Sequence, residues 1–203
     1  MSVLDRQIQT SNATEYNRYP HIFNEVAEIV RDTGAVRVLS FGCSTGEEIA
    51  SLDAIYLSGC TLIGVDINEP ALAAARSIKM SGRNECRFLE PKDVIGIQAF
   101  DVVLGMSVFC RWPEAKSLKD LNHLYSFDEF ESQLCEVDEL LVSGGILVLH
   151  NTNYYFEDTE LFAKKFRVFR KEADIGFVAR FDKSGKRYVN DRPGYVIFQK
   201  TCE

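Results

Sequence analysis

The sequence predicts a single α/β domain with a doubly wound, mostly parallel β-sheet and an antiparallel C-terminal hairpin. Up to residue 150, short apolar runs typical of buried strands alternate with segments of helical periodicity, as in sheets whose parallel strands are joined by helices. After residue 150, strand-like runs follow one another without long helices, and Asp182-Lys183-Ser184-Gly185 is a hairpin turn signal. We expect three parts: a lead-in segment with a helix (1–34), a central core (35–150) and antiparallel strands (151–203).

The first predicted helix begins at His21 and ends at Gly34, and its apolar positions recur at helical spacing. The first strand, residues 36–41, runs into a loop bounded by Gly42 and Gly46, where glycine lets the backbone fold tightly. The following helix, residues 47–56, would point its positive N-terminal end at the same loop. The loop is therefore a candidate nucleotide-binding turn.

The second strand, residues 61–65, is followed by Asp66. A carboxylate about 20 residues beyond a glycine loop is the usual ligand for ribose hydroxyls. The sequence is equally compatible with Asp66 acting as the N-cap of the helix predicted over residues 70–79.

The remaining core elements follow in the same alternating order. A third strand (86–89) leads to Asp93 and Val94, and a fourth strand (100–109) is continuously apolar, as expected when both faces of a sheet are covered. A helix over 128–141 precedes the turn Ser143-Gly144-Gly145 and a fifth strand (146–150) that ends at His150. The terminal strands are predicted at 167–169, 177–181 and 195–198. In such a sheet, ligands bind at the carboxyl ends of the strands.

Composition limits the classes of partner. The net charge is −7 and the pI is about 5.1, which disfavours binding to nucleic acid or to an anionic membrane. The basic residues within 164–171 read as a solvated helix end leading into a strand rather than as a phosphate-binding face. No apolar run reaches the ~20 residues of a membrane span, and residues 1–6 have no signal-peptide core. We therefore expect a cytoplasmic protein.

The six cysteines are scattered, without a C-x-x-C pair and without histidine at metal-ligand spacing. They predict neither a zinc site nor a disulfide framework, and favour a reduced protein in which several cysteines pack as small apolar groups.

The loop sequence Gly42-Cys43-Ser44-Thr45-Gly46 bears on the class of cofactor. Dinucleotide-binding proteins use G-x-G-x-x-G, in which the middle glycine lets the backbone approach a pyrophosphate. Ser44 stands at that position. The loop fits a cofactor without phosphates better than NAD, and the C-terminal antiparallel strands also depart from the dehydrogenase pattern.

From Val36 to Lys200 the chain resembles the class I S-adenosylmethionine-dependent methyltransferases, which have a Rossmann-like fold. The resemblance lies in five features in register: the glycine loop, Asp66, Asp93, Phe100-Asp101 and Ser143-Gly144-Gly145. Within that family, residues 43–48 and the lead-in residues 12–18 are similar to the chemotaxis-receptor methyltransferases.

This resemblance implies a set of residues for binding S-adenosylmethionine. Arg18 would pair with the cofactor's carboxylate, Glu47 or Glu48 with its ammonium, and Asp66 with its ribose, while Asp93 and Val94 would flank the adenine. The full set comprises Asn12, Thr14, Arg18, Gly42, Cys43, Ser44, Gly46, Glu47, Glu48, Asp66, Ile67, Asp93, Val94, Gly105, Met106 and Ser107.

The chain also departs from the chemotaxis family. Met106-Ser107 and Arg111 stand where that family has an Arg-Asn pair and a tyrosine, and the sequence has no room for the family's N-terminal helical domain or its receptor-docking β-subdomain. We therefore expect cofactor binding to carry over and receptor methylation not to.

The expected reaction is methyl transfer to a small-molecule or protein acceptor, with a carboxylate or hydroxyl oxygen favoured. His150 is a candidate general base and Arg111 a candidate cation in the acceptor pocket, although His150 could instead be a structural histidine. Trp112 and the aromatic residues 154–156 either wall the acceptor pocket or pack the end of the sheet. Two alternatives stay open: a non-catalytic domain that binds the cofactor or its product, and, less favoured, an NAD-dependent oxidoreductase.

Overall fold

The computed structural model describes residues 7–31, 36–94, 99–170 and 174–202. Within them a seven-stranded sheet has the strand order β3-β2-β1-β4-β5-β7-β6. The strands are β1 (Arg37–Phe41), β2 (Thr61–Val65), β3 (Glu85–Leu89), β4 (Phe100–Met106), β5 (Leu141–His150), β6 (Phe166–Arg170) and β7 (Ile197–Lys200). The helices are α1 (Pro20–Arg31), α2 (Glu47–Ser51), α3 (Glu69–Ala75), α4 (Phe127–Leu140) and α5 (Glu160–Lys165). The predicted fold class is confirmed.

The first five strands are parallel, and β7 lies antiparallel between β5 and β6. Ser40 of β1 is in register with Gly64 of β2 and Leu104 of β4. Because the strands are parallel and in register, Phe41, Val65 and Met106 end at the same edge of the sheet. The residues that follow these strands therefore meet at one end of the molecule.

Helices cover both faces of the sheet, because alternate residues of each strand point to opposite sides. Val38 belongs to the cluster packed against Ile22 and Phe23 of α1, and the next residue, Leu39, belongs to the cluster packed against Phe130 of α4. No helix in the described part of the chain is long and apolar enough to cross a membrane.

Several element bounds differ from the predictions. Helix α2 continues as a π-helical turn over Leu52–Tyr56, α3 ends at Ala75 rather than at residue 79, and β5 already begins at Leu141. Residues 177–181 do not form a regular strand, since only an isolated bridge joins Phe181 to Arg187. Gly34 and Lys171 lie outside the described residues.

The physical reason for the irregular segment is Arg180. Its side chain is 3% exposed and donates to the carbonyl oxygens of Thr152, Ile175 and Val178. A buried guanidinium must find several acceptors. Arg180 therefore ties this segment to the chain that leaves β5, and no pairing with β7 forms there.

Residues 7–18, the N-terminal segment, lie across the carboxyl ends of the strands. Thr10 Oγ1 donates to Glu114 Oε1 at 2.5 Å, and the hydroxyl of Ser44 donates to the Asn12 carbonyl at 3.0 Å. At the other end, Asn17 N donates to Ser51 Oγ at 2.7 Å. The segment is thus held both to the chain after β4 and to α2.

Candidate functional site

A cleft opens at the carboxyl ends of β1, β2 and β4, beneath the N-terminal segment. Its empty volume is about 1220 Å³, part of which is open to solvent, so it can accept a ligand of nucleoside size. Eleven of the residues predicted to bind a cofactor line it: Asn12, Thr14, Arg18, Gly42, Cys43, Ser44, Glu48, Asp66, Ile67, Met106 and Ser107.

The glycine loop is held in a tight conformation. Gly42 has φ 74° and Ser44 has φ 49°. A Cβ atom on Gly42 would lie 2.4 Å from a methyl carbon of Val108, so only glycine fits there without displacing the chain after β4. The backbone N–H groups of Gly42 and Cys43 both donate to the Val65 carbonyl, at 2.8 and 3.0 Å.

The N–H group of Ser44 points at a carboxylate of the protein. It donates to Asp66 Oδ2 at 2.7 Å, and Asp66 Oδ1 accepts from Asn68 N at 2.9 Å. Asp66 is half-buried and lines the cleft. Both oxygens are fixed by backbone donors, and each keeps further lone pairs that can accept hydrogen bonds from a ligand.

The contacts of Asn68 decide between the two roles predicted for Asp66. Asn68 is the N-cap of α3, because its Oδ1 accepts from Ala71 N at 3.1 Å. The cap predicted as an alternative role for Asp66 is therefore supplied two residues later. Asp66 is left facing the cleft.

Arg18 and Glu48 line the same cleft. The guanidinium of Arg18 lies over the Tyr19 ring, 5.1 Å from its centroid, and donates to the Ala13 carbonyl at 2.9 Å. Burial raises the pKa of Glu48 to about 7, an effect that the Ser40 hydroxyl and the positive charge of Arg18 oppose. Near neutral pH this carboxyl is thus poised between its two protonation states.

The end of β4 presents a hydroxyl cluster to the cleft. Ser107, with φ 61°, has its hydroxyl 2.8 Å from the Tyr19 hydroxyl and accepts from Asn151 Nδ2 at 2.9 Å. Gln9 Nε2 reaches the Ser107 carbonyl at 3.4 Å and Cys110 Sγ at 3.2 Å. Burial raises the pKa of Tyr19, so its hydroxyl keeps its proton.

Some predicted cofactor residues do not line the cleft. Gly46 packs against Ala75 and Phe88, and Glu47 accepts from the Thr45 hydroxyl at 2.7 Å. The remaining three are Asp93, which accepts from Glu90 N at 3.3 Å, Val94, which is 1% exposed in the core, and Gly105, which faces the Phe109 ring.

Arg111, the predicted acceptor-pocket cation, faces the N-terminal segment. Its guanidinium donates to the Ile8 carbonyl, and its backbone N donates to Asn153 Oδ1 at 2.6 Å. It is not among the described residues that line the cleft. Its contacts are those of an anchor for the N-terminal segment.

His150, the predicted base, lies behind the wall of the cleft. It is 4% exposed, and its ring centroid is 4.8 Å from that of Tyr19. Burial lowers its pKa to about 4, although the nearby Asp174 carboxylate opposes this shift. The imidazole is therefore neutral at pH 7 and is a weak base.

The aromatic residues after β5 are part of the core. Tyr154, Tyr155 and Phe156 are at most 3% exposed, which fits the packing interpretation of these residues. Trp112, in contrast, lines the mouth of the cleft together with Phe177, and their ring centroids are 5.1 Å apart in an edge-to-face arrangement.

Several cleft residues were not predicted from the sequence. They include Gln9, Tyr19, Gln133 and Phe177. Gln133 is 1% exposed and accepts from the Tyr125 hydroxyl at 2.7 Å. The sequence contained two signals for these residues. Phe177 stands in a run that alternates apolar and aromatic residues, and Gln133 is a polar residue inside a helical pattern.

No protein-family model matches the sequence, and no curated protein matches it significantly. Solved structures do match the fold. Magnesium protoporphyrin IX methyltransferase from Synechocystis PCC 6803, solved with bound S-adenosylmethionine, matches with a TM-score of 0.52 and 14% sequence identity, over 89% of this chain and 78% of that chain. A proposed rRNA methylase from Clostridium thermocellum matches with a TM-score of 0.48 and 18% identity, over 93% of this chain and 100% of that chain.

Other similar structures are longer than this chain. The chain spans 52% of the YcgJ protein from Bacillus subtilis and 43% of the cyclase SpnF, with TM-scores of 0.46 and 0.40 and identities of 19% and 20%. The two matches include 68% and 61% of this chain, respectively. The comparisons establish the architecture: the chain shares the Rossmann-like fold that class I S-adenosylmethionine-dependent methyltransferases have in common.

Proposed function

We propose that this chain binds S-adenosylmethionine and transfers its methyl group to an oxygen acceptor on a small molecule or a protein. The observation that carries the proposal is Asp66, which stands at the carboxyl end of β2 with both oxygens fixed by backbone N–H groups and still faces the cleft. A carboxylate at this place in a doubly wound sheet is suited to accept hydrogen bonds from vicinal ribose hydroxyls.

The glycine loop favours a cofactor without phosphates. In a pyrophosphate site, the loop N–H groups are free to donate to the ligand. Here the N–H groups of Gly42, Cys43 and Ser44 are all used inside the protein. NAD would have to compete with these contacts and would place its phosphates near Asp66 and Glu48, where like charges repel.

The amino-acid part of the cofactor would lie between Arg18 and Glu48. A guanidinium suits a carboxylate, and a carboxylate suits an ammonium group. Both side chains line the cleft on the side of the N-terminal segment and α2. This arrangement supports the similarity to the cofactor-binding residues of the chemotaxis-receptor methyltransferases, whereas nothing in the described residues recommends a receptor as the acceptor.

The bound cofactor would supply an electrophilic methyl group on a sulfonium. The protein's own contribution is to hold the acceptor in line and close, which can be worth about 7–11 kcal/mol. An ionised oxygen needs no base. This favours an acceptor that is already an anion, because His150 is buried and neutral. We further propose that the protein acts in the cytoplasm as one domain, with residues 35–150 forming the cofactor-binding core and the N-terminal segment contributing Arg18.

A non-catalytic binding domain is the second candidate. It is favoured by the orientation of Arg111 toward Ile8 and by the burial of His150, since neither predicted catalytic side chain reaches the cleft. Cofactor affinity without methyl transfer into any extract component would select this candidate.

Calorimetric titration with S-adenosylmethionine, S-adenosylhomocysteine and NAD tests the proposal. We expect saturable binding of the first two and none of NAD. Asp66→Ala should weaken cofactor binding about 10- to 100-fold, because a hydrogen bond to a charged group is worth about 1.5–3 kcal/mol. Asp128→Ala, at an exposed aspartate on α4, is the matched control. Binding of NAD alone, or equal affinity in Asp66→Ala, would contradict the proposal.

A further inference from the structure

The hydroxyls of Tyr19 and Ser107 meet at the end of β4. Together they carry two protons, and the hydrogen bond between them uses only one. Asn151 Nδ2 donates to Ser107 Oγ, so that oxygen accepts there. One hydroxyl proton, from Ser107 or from Tyr19, forms the 2.8 Å bond between the two oxygens. The second hydroxyl proton has no acceptor within residues 7–31, 36–94, 99–170 and 174–202. Both residues line the cleft, so the pair presents one O–H donor to a ligand.

Asn151 holds this pair and also fixes the opposite wall. It is fully buried, and its Oδ1 accepts from Phe177 N at 2.9 Å. A Cβ atom on Gly176, which has φ 89°, would lie 1.9 Å from that same oxygen. One amide therefore places Phe177 beside the Tyr19–Ser107 pair.

The part of the cleft wall that contains Phe177 is aromatic and apolar. The edge of one ring of the Trp112–Phe177 pair meets the face of the other, and Phe177 is 62% exposed. The neighbouring lining residues Ile8, Val108 and Val178 are also apolar. Exposed aromatic rings at a cleft mouth are suited to bind a planar, apolar ligand.

The carboxylates Glu48 and Asp66 line the same cleft but are assigned to the cofactor, and the acidic groups closest to the hydroxyl pair keep their protons. Burial raises the pKa of Cys110 to about 12, and the pKa of Tyr19 is also raised. Neither group takes up a proton from a neutral hydroxyl at pH 7. An acceptor that is already ionised fits these surroundings, and the spare O–H donor can hydrogen-bond to it.

We propose that the methyl acceptor is a planar aromatic carboxylate, which lies against Trp112 and Phe177 and accepts a hydrogen bond from the Tyr19–Ser107 pair. This inference rests on the proposed function. A lone pair of the oxygen forms the new C–O bond as the methyl C–S bond breaks, and the electron pair of that bond stays on sulfur. The anion and the sulfonium neutralise each other, so no proton moves.

The test uses the full chain saturated with S-adenosylhomocysteine. The probe is 1-naphthoate, and its comparisons are octanoate, an anion without a ring, and 1-naphthylmethylamine, a ring without an anion. We expect calorimetry to show saturable binding of 1-naphthoate and at least tenfold weaker binding of both comparisons. With labelled S-adenosylmethionine, label should appear in the methyl ester of 1-naphthoate.

The double variant Tyr19→Phe/Ser107→Ala should weaken 1-naphthoate binding at least fivefold, because it removes both hydroxyls of the pair. Either single variant leaves one hydroxyl proton free to donate and should have a smaller effect. Trp112→Leu should weaken it without changing the affinity for S-adenosylhomocysteine. Tyr188→Phe, which removes a tyrosine hydroxyl outside the cleft, is the control and should match the unmodified protein. An unchanged circular dichroism spectrum and a thermal unfolding temperature close to that of the unmodified protein show that each variant is folded.

The failures are distinguishable. A protein that binds neither S-adenosylmethionine nor S-adenosylhomocysteine contradicts the proposed function and this inference with it. A protein that binds them but shows no saturable binding of 1-naphthoate, or binds octanoate equally well, overturns the acceptor inference and leaves cofactor binding intact. Unchanged 1-naphthoate affinity in the double variant Tyr19→Phe/Ser107→Ala overturns the role of the hydroxyl pair.

Discussion

Three serine and asparagine residues in left-handed backbone conformations shape the cleft. Ser44, Ser107 and Asn151 have φ of 49°, 61° and 56°. Such conformations are strained for residues other than glycine and are concentrated at ligand sites. All three lie just beyond the carboxyl end of a strand, and each side chain makes a hydrogen bond within the cleft wall. The left-handed conformations therefore place these polar side chains where they fix the wall of the cleft.

Glu48 should make cofactor binding pH-dependent. Its pKa in the free protein is about 7, raised above the ordinary value, so the protonated form contributes stability that is lost as pH rises toward 7. Binding an ammonium group requires the ionised form. Between pH 6 and pH 8 the ionised fraction rises about tenfold, and affinity for S-adenosylhomocysteine should rise by about the same factor.

Titration calorimetry in buffers of different ionisation enthalpy measures this effect. We expect release of nearly one proton per cofactor bound at pH 6 and almost none at pH 8. Glu48→Gln should bind more weakly and lose the proton release. If Glu48→Gln keeps the pH dependence of the unmodified protein, another group is responsible.

Single residues were predictable where the signal is local. Gly42, Ser44 and Asp66 lie within one strand–loop–strand unit, and all three line the cleft. Tyr19 and Asn151 could not be found in this way, because their contacts with Ser107 join positions 88 and 44 residues apart. For His150, the position in the sequence did not predict the orientation of the side chain. The residue lies at the end of β5 as expected, but its side chain is buried behind Tyr19.

At the level of elements, a buried ionic cluster joins α4, β5, α5 and β7. The carboxylate of Asp138, 4% exposed, lies 2.8 Å from Lys200 Nζ and 2.7 Å from Lys165 Nζ. Lys200 Nζ also donates to the carbonyls of Asp138 and Leu141, at 2.7 and 3.1 Å. These contacts fix the antiparallel strands against the end of α4.

Lys200→Met should lower the free energy of unfolding by about 3–5 kcal/mol, because it leaves a buried carboxylate with one cation instead of two and removes the Nζ donor from the carbonyls of Asp138 and Leu141. Urea unfolding measures the change. Lys164→Met breaks a pair with Glu160 in which both side chains are more than 70% exposed, and should cost at most about 0.5 kcal/mol. Equal costs for the two variants would contradict the assigned role of the cluster.

Elements with continuous apolar runs were predicted well, since β4 and β5 must be buried on both faces. The segment 177–181 was predicted as a strand from its alternating pattern, but the pattern does not reveal that Arg180 points inward. The carbonyls that surround its guanidinium come from Thr152, Ile175 and Val178. The Thr152 acceptor lies 28 residues away in the sequence, so the local pattern around Arg180 does not reveal it.

In the molecule as a whole, the N-terminal segment closes one side of the cleft and is held by a few polar contacts. Such a segment opens more easily than the packed core. We expect cofactor binding to slow amide hydrogen exchange in residues 7–18 and 42–48, with little change in α4.

Arg111→Ala should speed exchange in residues 7–14, because the contact with the Ile8 carbonyl is lost. It should also weaken cofactor binding with only a small change in thermal stability. Arg167→Ala, on the edge strand β6 and bonded to Gln199, is the matched control. Exchange in residues 7–14 that is identical in both variants would show that Arg111 does not hold the segment.

The overall architecture followed from the order of its elements, whereas the closure of the cleft did not. Residues 7–18 have no helical or strand periodicity, and their placement depends on partners such as Glu114, Ser44 and Ser51. The similarity to the chemotaxis family suggested that Asn12, Thr14 and Arg18 belong to the site, and these residues do line the cleft.

Through its hydrogen bonds to Ser107 and Phe177, Asn151 fixes the part of the cleft that is proposed to bind the acceptor. Under the proposed assignments, Arg18, the glycine loop, Glu48 and Asp66 supply the cofactor contacts. The loops after β4 and β5, with residues 174–178 and Tyr19, supply the acceptor contacts. Exchanging these loops between related proteins, with the asparagine kept, should therefore change which molecule is methylated without rebuilding the cofactor site. The cofactor-binding site would then stay constant while the acceptor-binding loops vary.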